Sequence, residues 1–218
     1  MPRVVLFDLD GTLTDSAPGI VNCIRYALDS MGIDHPDDAT LATFLGPPLK
    51  DTFGGHFAMD DEQIDAAIAH YRLRYHDVGL FENEVYSGIP ELLQGLVESG
   101  ATLATSTSKP TVSATRILRH FDLAQYFTFI GGASLDTSRN SKAEVIGHTR
   151  ESLAAMGIDP GSTPFTMVGD REHDILGAAE FDIPAIGVLW GYGSRGELEA
   201  AGAAAIATDA PHLRRLLH

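Results

Sequence analysis

At 218 residues, with 44% hydrophobic and 21% charged side chains, the chain is long enough for one sizeable core, or for a core domain carrying a smaller one. Lys and Arg total 15 against 30 Asp and Glu, and the net charge of −15 argues against nucleic acid or an anionic membrane surface as partner. Cys23 is the single cysteine, which excludes an intrachain disulfide and a thiolate metal cluster, and its place inside a helical pattern points to packing.

No signal-peptide h-region opens the sequence, and no apolar run approaches the roughly 20 residues of a membrane helix, so the expected compartment is the cytoplasm. The first element is an apolar, β-branched run over residues 4–7 that stops at Asp8, Asp10, Gly11 and Thr12. It reads as a buried strand that delivers reactive groups to its C-terminal end, which is where ligands bind in an open α/β sheet. Asp8 and Asp10 share one face if the strand continues, and two carboxylates so close call for a cation or a shared proton. The competing reading is an ordinary turn, since Asp-Gly is a common turn dipeptide.

The next convincing strand begins at Ala101, about 90 residues later, where a crossover unit takes about 30, so the excess reads as an inserted helical subdomain. Within it Ile20, Ile24, Ala27, Leu28 and Met31 follow helical spacing and stop at Gly32. A second helical segment spans 38–45 and is stopped by Gly46-Pro47-Pro48. Ile64, Ile68, Tyr71 and Tyr75 mark one face of a third helix that starts near Asp60-Asp61 and ends by Gly79.

From Ser87 onward strand and helix alternate. Pro90 and Gly100 bracket a helix with Leu92, Leu93, Leu96 and Val97 on its buried face. Strands are expected at about 101–107, 127–131, 165–169 and 184–189, with a weak one near 203–207. Helices fill about 110–120, 141–156, 172–180, 194–201 and 211–217, and Ser141 with Glu144 and Ser194 with Glu197 both fit the capping box. Alternating βα units imply a parallel, Rossmann-like sheet with helices on both faces, interrupted by the insert. The expected domains are a discontinuous catalytic core, 1–15 with 87–218, and a helical cap, 16–86.

Three further stretches carry chemistry. A strand ending at Thr107-Ser108-Lys109-Pro110 places hydroxyls before a helix start, a good phosphate cradle, although N-capping by Ser108 with Pro110 at N1 explains it equally well. Lys142 opens a helix where a positive charge opposes the dipole, so it either neutralises an anion or is an exposed surface lysine. Residues 166–174 repeat the opening logic, with Asp170 and Asp174 four apart at a helix start, where acids are also ordinary dipole partners. His173 between them has no second histidine at ligand spacing and is left out of the site.

The run Asp8-Leu9-Asp10-Gly11-Thr12-Leu13-Thr14-Asp15-Ser16 resembles the first motif of the haloacid dehalogenase-like hydrolase superfamily. The segments ending at Thr107, from Gly132 through Asp136 to Lys142, and from Gly169 to Asp174 resemble its second, third and fourth motifs in order. Residues 44–49 and 86–90 also look like its phosphoglycolate phosphatase-like branch, while Glu172 departs from the lysine that branch leads one to expect.

The resemblance implies a Mg²⁺-dependent phosphatase in which Asp8 is the nucleophile and Asp10 the general acid/base. Mg²⁺ would be held by Asp8, the Asp10 backbone carbonyl and Asp170, with Asp174 in support. Gly11, Thr107, Ser108 and Lys142 would hold the phosphate, with Lys109 looking less like the catalytic lysine than Lys142 does. Gly46, Leu49 and Lys50 of the cap would select the substrate, a small phosphorylated metabolite such as a phosphoglycolate-like monoester or a nucleotide. The chain is expected as a monomer or homodimer. The alternatives are a phosphomutase of the β-phosphoglucomutase type, a dehalogenase, and a regulatory phosphate-binding module without turnover.

Overall fold

The four residues of β1 (Val4–Phe7) are all buried, Val4 and Leu6 on one face and Val5 and Phe7 on the other. A strand buried on both faces belongs in the middle of a covered parallel sheet, and that is where the computed structural model puts it. The structure describes residues 3–37, 40–41, 44, 49–136 and 138–217. The chain divides into two units, Met1–Asp15 with Val85–His218, and Ser16–Glu84.

After β1 comes β2 (Thr14–Asp15), then the helices of the insert, α1 (Ala17–Ser30), α2 (Leu49–Phe57) and α3 (Asp61–Arg74), and the short strand β3 (Glu84–Val85). The core resumes with α4 (Ile89–Glu98), β4 (Thr102–Pro110), α5 (Thr111–His120), β5 (Phe129–Ala133), α6 (Lys142–Ala155) and β6 (Phe165–Gly169). It ends with α7 (Glu172–Ala179), β7 (Ala185–Val188), α8 (Arg195–Ala200), β8 (Ala205–Ala207) and α9 (Ala210–Leu216). The strands order as β5-β4-β1-β6-β7-β8, and every pairing is parallel. The chain therefore winds outward from β1 through β4 to β5, returns to β6 on the other side of β1, and winds outward again. That reversal makes the C-terminal ends of β4, β1 and β6 the expected ligand crevice.

The core cluster joins Val4 and Leu6 to Ile146 and Leu153 of α6, Met167 of β6, Ile175 and Ala178 of α7, and Leu198 of α8. In the insert, Cys23, Ile24, Ala27 and Leu28 of α1 pack with Phe53 of α2 and with Ile64, Ala67 and Tyr71 of α3. Cys23 is fully buried, as a packing role requires. No helix among the described residues is long and apolar enough to cross a membrane.

Two boundaries, one helix and one helix cap differ from the sequence expectation. Strand β4 runs three residues past Thr107 because a register shift between Thr107 and Pro110 lets it keep pairing with β5, so Ser108 and Lys109 lie in the strand and Pro110 caps α5. Regular helix ends at Arg74, and a wider turn, with Leu80 N–H donating to the Tyr75 carbonyl, carries the chain to Gly79. Apolar spacing could not separate the two, since Tyr71 and Tyr75 still stack at 5.3 Å. Helix α2 was not anticipated: Leu49, Phe53 and Phe57 have helical spacing, but Gly54 and Gly55 lower its propensity. At α8 the Ser194 hydroxyl accepts from Glu197 N–H, yet the Glu197 carboxylate turns to Arg171 and the Glu172 N–H, leaving half a capping box. The 38–45 helix and Gly46 fall largely or wholly outside the described residues.

Leu6 is fully buried between β4 and β6 at the centre of this arrangement. Leu6→Ala is expected to destabilise the protein by about 2–5 kcal/mol through lost burial and the cavity left behind. Urea unfolding should show a lower midpoint at unchanged slope, and a loss below about 1 kcal/mol would mean that β1 is not the packing centre.

Candidate active site

The Asp8 N–H continues the β1 ladder to the Val168 carbonyl at 2.9 Å, so the Asp8 side chain stands where β1 ends beside β6. Its Oδ1 accepts the Leu9 N–H at 2.8 Å and meets the Lys142 ammonium at 3.0 Å. Lys142, the first residue of α6, is itself buried, and its Nζ also touches Asp174 Oδ1 at 2.7 Å and donates to the Ser106 carbonyl at 3.0 Å. Burial opposes the lysine's charge, but Asp174 and Asp8 outweigh it and raise the ammonium's pKa. Of the two sequence readings of Lys142, exposed surface lysine and anion partner, the buried ion pairs select the second.

Asp170, directly after β6, is fully buried. Burial, Asp174 and Asp8 push its pKa up to about 7, against the Tyr192 and Thr12 donors. Oδ1 accepts the Thr12 hydroxyl at 3.0 Å and Oδ2 the Tyr192 N–H at 2.8 Å. Gly11 has φ of +77°, and a Cβ there would collide with the Asp170 carboxylate, so the turn after Asp10 needs glycine twice over. Asp174 Oδ2 accepts the Arg171 N–H at 3.1 Å at the start of α7. Burial raises the Asp174 carboxyl against the pull of Lys142.

Asp10 lies beyond the strand and is less enclosed, its side chain 26% exposed against 12% for Asp8. Its Oδ2 pairs with Lys109 Nζ at 3.0 Å, and the Lys109 side chain is buried. Oδ1 of Asp10 is buried without a hydrogen-bond partner among the described residues. Thr107 is buried with its hydroxyl accepting the Lys109 N–H at 3.2 Å, whereas Ser108 is exposed.

One carboxylate oxygen from each of Asp8, Asp170 and Asp174 lies within 4.8 Å of the others. The ammonium of Lys142 touches two of these acids and not the third. An all-oxygen cluster with excess negative charge fits a hard divalent cation. The carboxylate of Asp10 is not in the cluster, so only the Asp10 backbone carbonyl remains as the donor that sequence reasoning had in mind.

The structure thus brings Asp8, Asp10, Gly11, Thr107, Lys142, Asp170 and Asp174 to the C-terminal end of the central strands within the core. Leu49 and Lys50 open α2 in the insert, where Lys50 makes an exposed 3.5 Å ion pair with Asp61, and Gly46 lies outside the described residues. His173 is exposed. Sequence reasoning missed the Lys109 pairing with Asp10 and the loop after β7, where Trp190 Nε1 donates to the Thr12 carbonyl at 3.0 Å. The available signal was a glycine-flanked Gly191-Tyr192-Gly193 turn at the C-terminal end of a parallel strand, the same position as the motifs that were recognised.

Residues 5–188 match the family described as haloacid dehalogenase-like hydrolase. Over 215 residues, covering 98% of this chain and 94% of the relative, the sequence is 44% identical to a 5'-nucleotidase of Pseudomonas aeruginosa. Over 193 residues it is also 44% identical to tyrosine-protein kinase PtkA of Mycobacterium tuberculosis, of which the match spans 64%. A crystal structure of a putative phosphatase from Clostridium difficile superposes with a TM-score of 0.92 at 41% identity, covering 99% of this chain and 98% of that one. An aspartate pair at the end of β1, a lysine at the start of α6 and the acids after β6 therefore recur here within a match that runs through all four motifs, and the chain belongs to the haloacid dehalogenase-like hydrolase family.

Proposed function

We propose that the chain is a Mg²⁺-dependent phosphatase that hydrolyses a small phosphomonoester in two in-line transfers through an aspartyl phosphate on Asp8. The observation that carries this reading is the division of labour between the two N-terminal aspartates. Asp8 meets Leu9 and Lys142 through Oδ1 inside the three-acid cluster, while Asp10 stands outside the cluster, more exposed, with Oδ2 on Lys109 and Oδ1 without a partner among the described residues.

In the first transfer an Asp8 carboxylate oxygen forms a bond to phosphorus as the ester P–O bond breaks, and Asp10 donates its proton to the departing alkoxide. In the second, water attacks the phosphorus, gives its proton to Asp10, and the bond between phosphorus and the Asp8 oxygen breaks. Lys142, Thr107 and the backbone N–H groups after Asp10 hold the non-bridging oxygens where charge gathers in the transition state. Asp8, Asp170 and the Asp10 carbonyl would hold Mg²⁺, which would supply neutralisation of the charge that keeps a carboxylate nucleophile and an anionic phosphate apart.

The relative named 5'-nucleotidase supports a nucleotide among the candidate substrates, alongside phosphoglycolate-like monoesters. The chain's net charge of −15 favours a small substrate over a polyanion, with Lys109, Lys142 and a bound cation offsetting the acids within the site. Phosphate release from a panel of small phosphorylated metabolites tests the substrate class.

Asp8→Asn should abolish turnover and keep the fold, because the amide preserves shape and lacks nucleophilicity. Since enzymes lower barriers by at least ~8 kcal/mol, the loss should be several orders of magnitude; retention of a tenth of the wild-type rate would sink the nucleophile assignment. Activity should require Mg²⁺ and vanish in excess chelator, with Ca²⁺ a poor substitute because its looser coordination can draw both Asp8 oxygens onto the ion. Full activity in chelator would rule the metal out.

Asp10→Asn separates hydrolase from mutase. It should slow esters with poor alkoxide leaving groups more than an aryl phosphate, by up to the ~10²–10⁴-fold a general acid supplies. On the aryl phosphate the variant should show a burst as phosphoenzyme accumulates, and the wild type should show none. A wild-type burst would favour a phosphomutase, and equal slowing of every leaving group without a burst would remove Asp10 from proton transfer.

A further inference from the structure

Mg²⁺ demands near-ideal octahedral geometry, so a carboxylate that serves it well has to be fixed in orientation before the ion arrives. Asp170 is fixed through both oxygens, Oδ1 by the Thr12 hydroxyl and Oδ2 by the Tyr192 N–H. The second donor belongs to the loop after β7, which no step of the phosphoryl transfer uses. That loop is anchored at two more points. Trp190 Nε1 donates to the carbonyl of Thr12, the residue whose hydroxyl holds Oδ1. The Tyr192 phenol donates to Asp15 Oδ1 at 2.9 Å and is hydrogen-bonded to Tyr86. Gly191 and Gly193 allow the approach, since a Cβ at either would collide with Asp170 or its backbone.

We propose that Tyr192 is a positioning residue for the divalent cation, its phenol anchored on Asp15 so that its backbone N–H aims the Asp170 carboxylate. The inference rests on the reading of Asp170 as a Mg²⁺ ligand. The closed circuit from Asp170 through Thr12, Trp190 and Tyr192 back to Asp170 sets the carboxylate's rotation as well as its place. Loss of the phenol leaves the N–H present on a less restrained loop. Mg²⁺ affinity then falls more than Ca²⁺ affinity, because Ca²⁺ accepts irregular ligand geometry. Trp190, the chain's single tryptophan, reports on the same circuit through its emission.

The test uses the full chain without substrate. Mg²⁺ and Ca²⁺ are each titrated by calorimetry into wild type, Tyr192→Phe, Asp15→Ala and the double variant, with Trp190 emission and the thermal midpoint followed in parallel. Tyr192→Phe should weaken Mg²⁺ about tenfold, at the lower edge of what loss of a ligand-orienting partner does, and Ca²⁺ by no more than about threefold. Asp15→Ala should weaken Mg²⁺ in the same direction, and the double variant should lose no more than Tyr192→Phe, because the bond to Asp15 is among those the phenol carries. Mg²⁺ should change the Trp190 emission of the wild type.

Unchanged Mg²⁺ affinity in Tyr192→Phe overturns the positioning role while the metal reading stands. So does an equal loss for both ions accompanied by a lower thermal midpoint, which is the mark of a merely structural contact. A wild type that binds no Mg²⁺ overturns the metal reading and this inference with it.

Discussion

Three carboxylates meeting inside a protein are the constraint around which the core is arranged. Asp8, Asp170 and Asp174 bring oxygens within 4.8 Å of one another with little solvent between them. Two like charges at about that spacing repel by roughly 4 kcal/mol at an effective dielectric of 20. Lys142 offsets part of this by touching Asp8 and Asp174, but a buried ion pair is a poor source of stability because desolvating its members is expensive. Such a cluster persists because the rest of the fold holds it, and burial, with Asp174 and Asp8 beside it, pushes the pKa of Asp170 up to about 7.

The sheet provides the holding. With both faces of β1 buried, polar groups are left to the strand ends, and the parallel arrangement puts β4, β1 and β6 ends side by side. Each acid then accepts a hydrogen bond from a backbone N–H in the loops after β1, β7 and β6: the Leu9 N–H for Asp8, the Tyr192 N–H for Asp170, the Arg171 N–H for Asp174. Glu197, reaching from α8 to Arg171 and the Glu172 N–H, steadies the start of α7 from outside.

What the sequence made legible follows from the same physics. Acids that end an apolar run are conspicuous, so Asp8, Asp10, Asp170 and Asp174 could be picked out, and helix-opening Lys142 stood out because its charge opposes the dipole. From Ser87 onward the order of strands and helices was legible from periodicity to within a few residues, whereas β2, β3 and α2 were not anticipated. Lys109 was not, because its direction depends on the irregularity in β4 between Thr107 and Pro110, which no local pattern encodes. Tyr192 was not, because what it gives Asp170 is a backbone N–H that any residue but proline owns. Glu197 looked like a complete local cap and was claimed instead by a partner 26 residues away in the chain.

The two buried lysines explain why aspartates two positions apart can do different things. Lys142 is bound on three sides, by Asp8, Asp174 and the Ser106 carbonyl, so it cannot follow a moving partner, and Asp8 keeps a cationic neighbour, as a carboxylate nucleophile beside two other acids needs. Asp10 meets Lys109 through one oxygen only, keeps its other oxygen unpartnered, and is the more exposed of the two acids. A group that takes and returns a proton within one turnover has to change partners, and a more exposed carboxylate outside the three-acid cluster can do so without disturbing it. In the proposed chemistry the difference between nucleophile and acid/base therefore arises from where each aspartate stands, Asp8 inside the cluster beside Lys142 and Asp10 outside it, since the side chains themselves are the same.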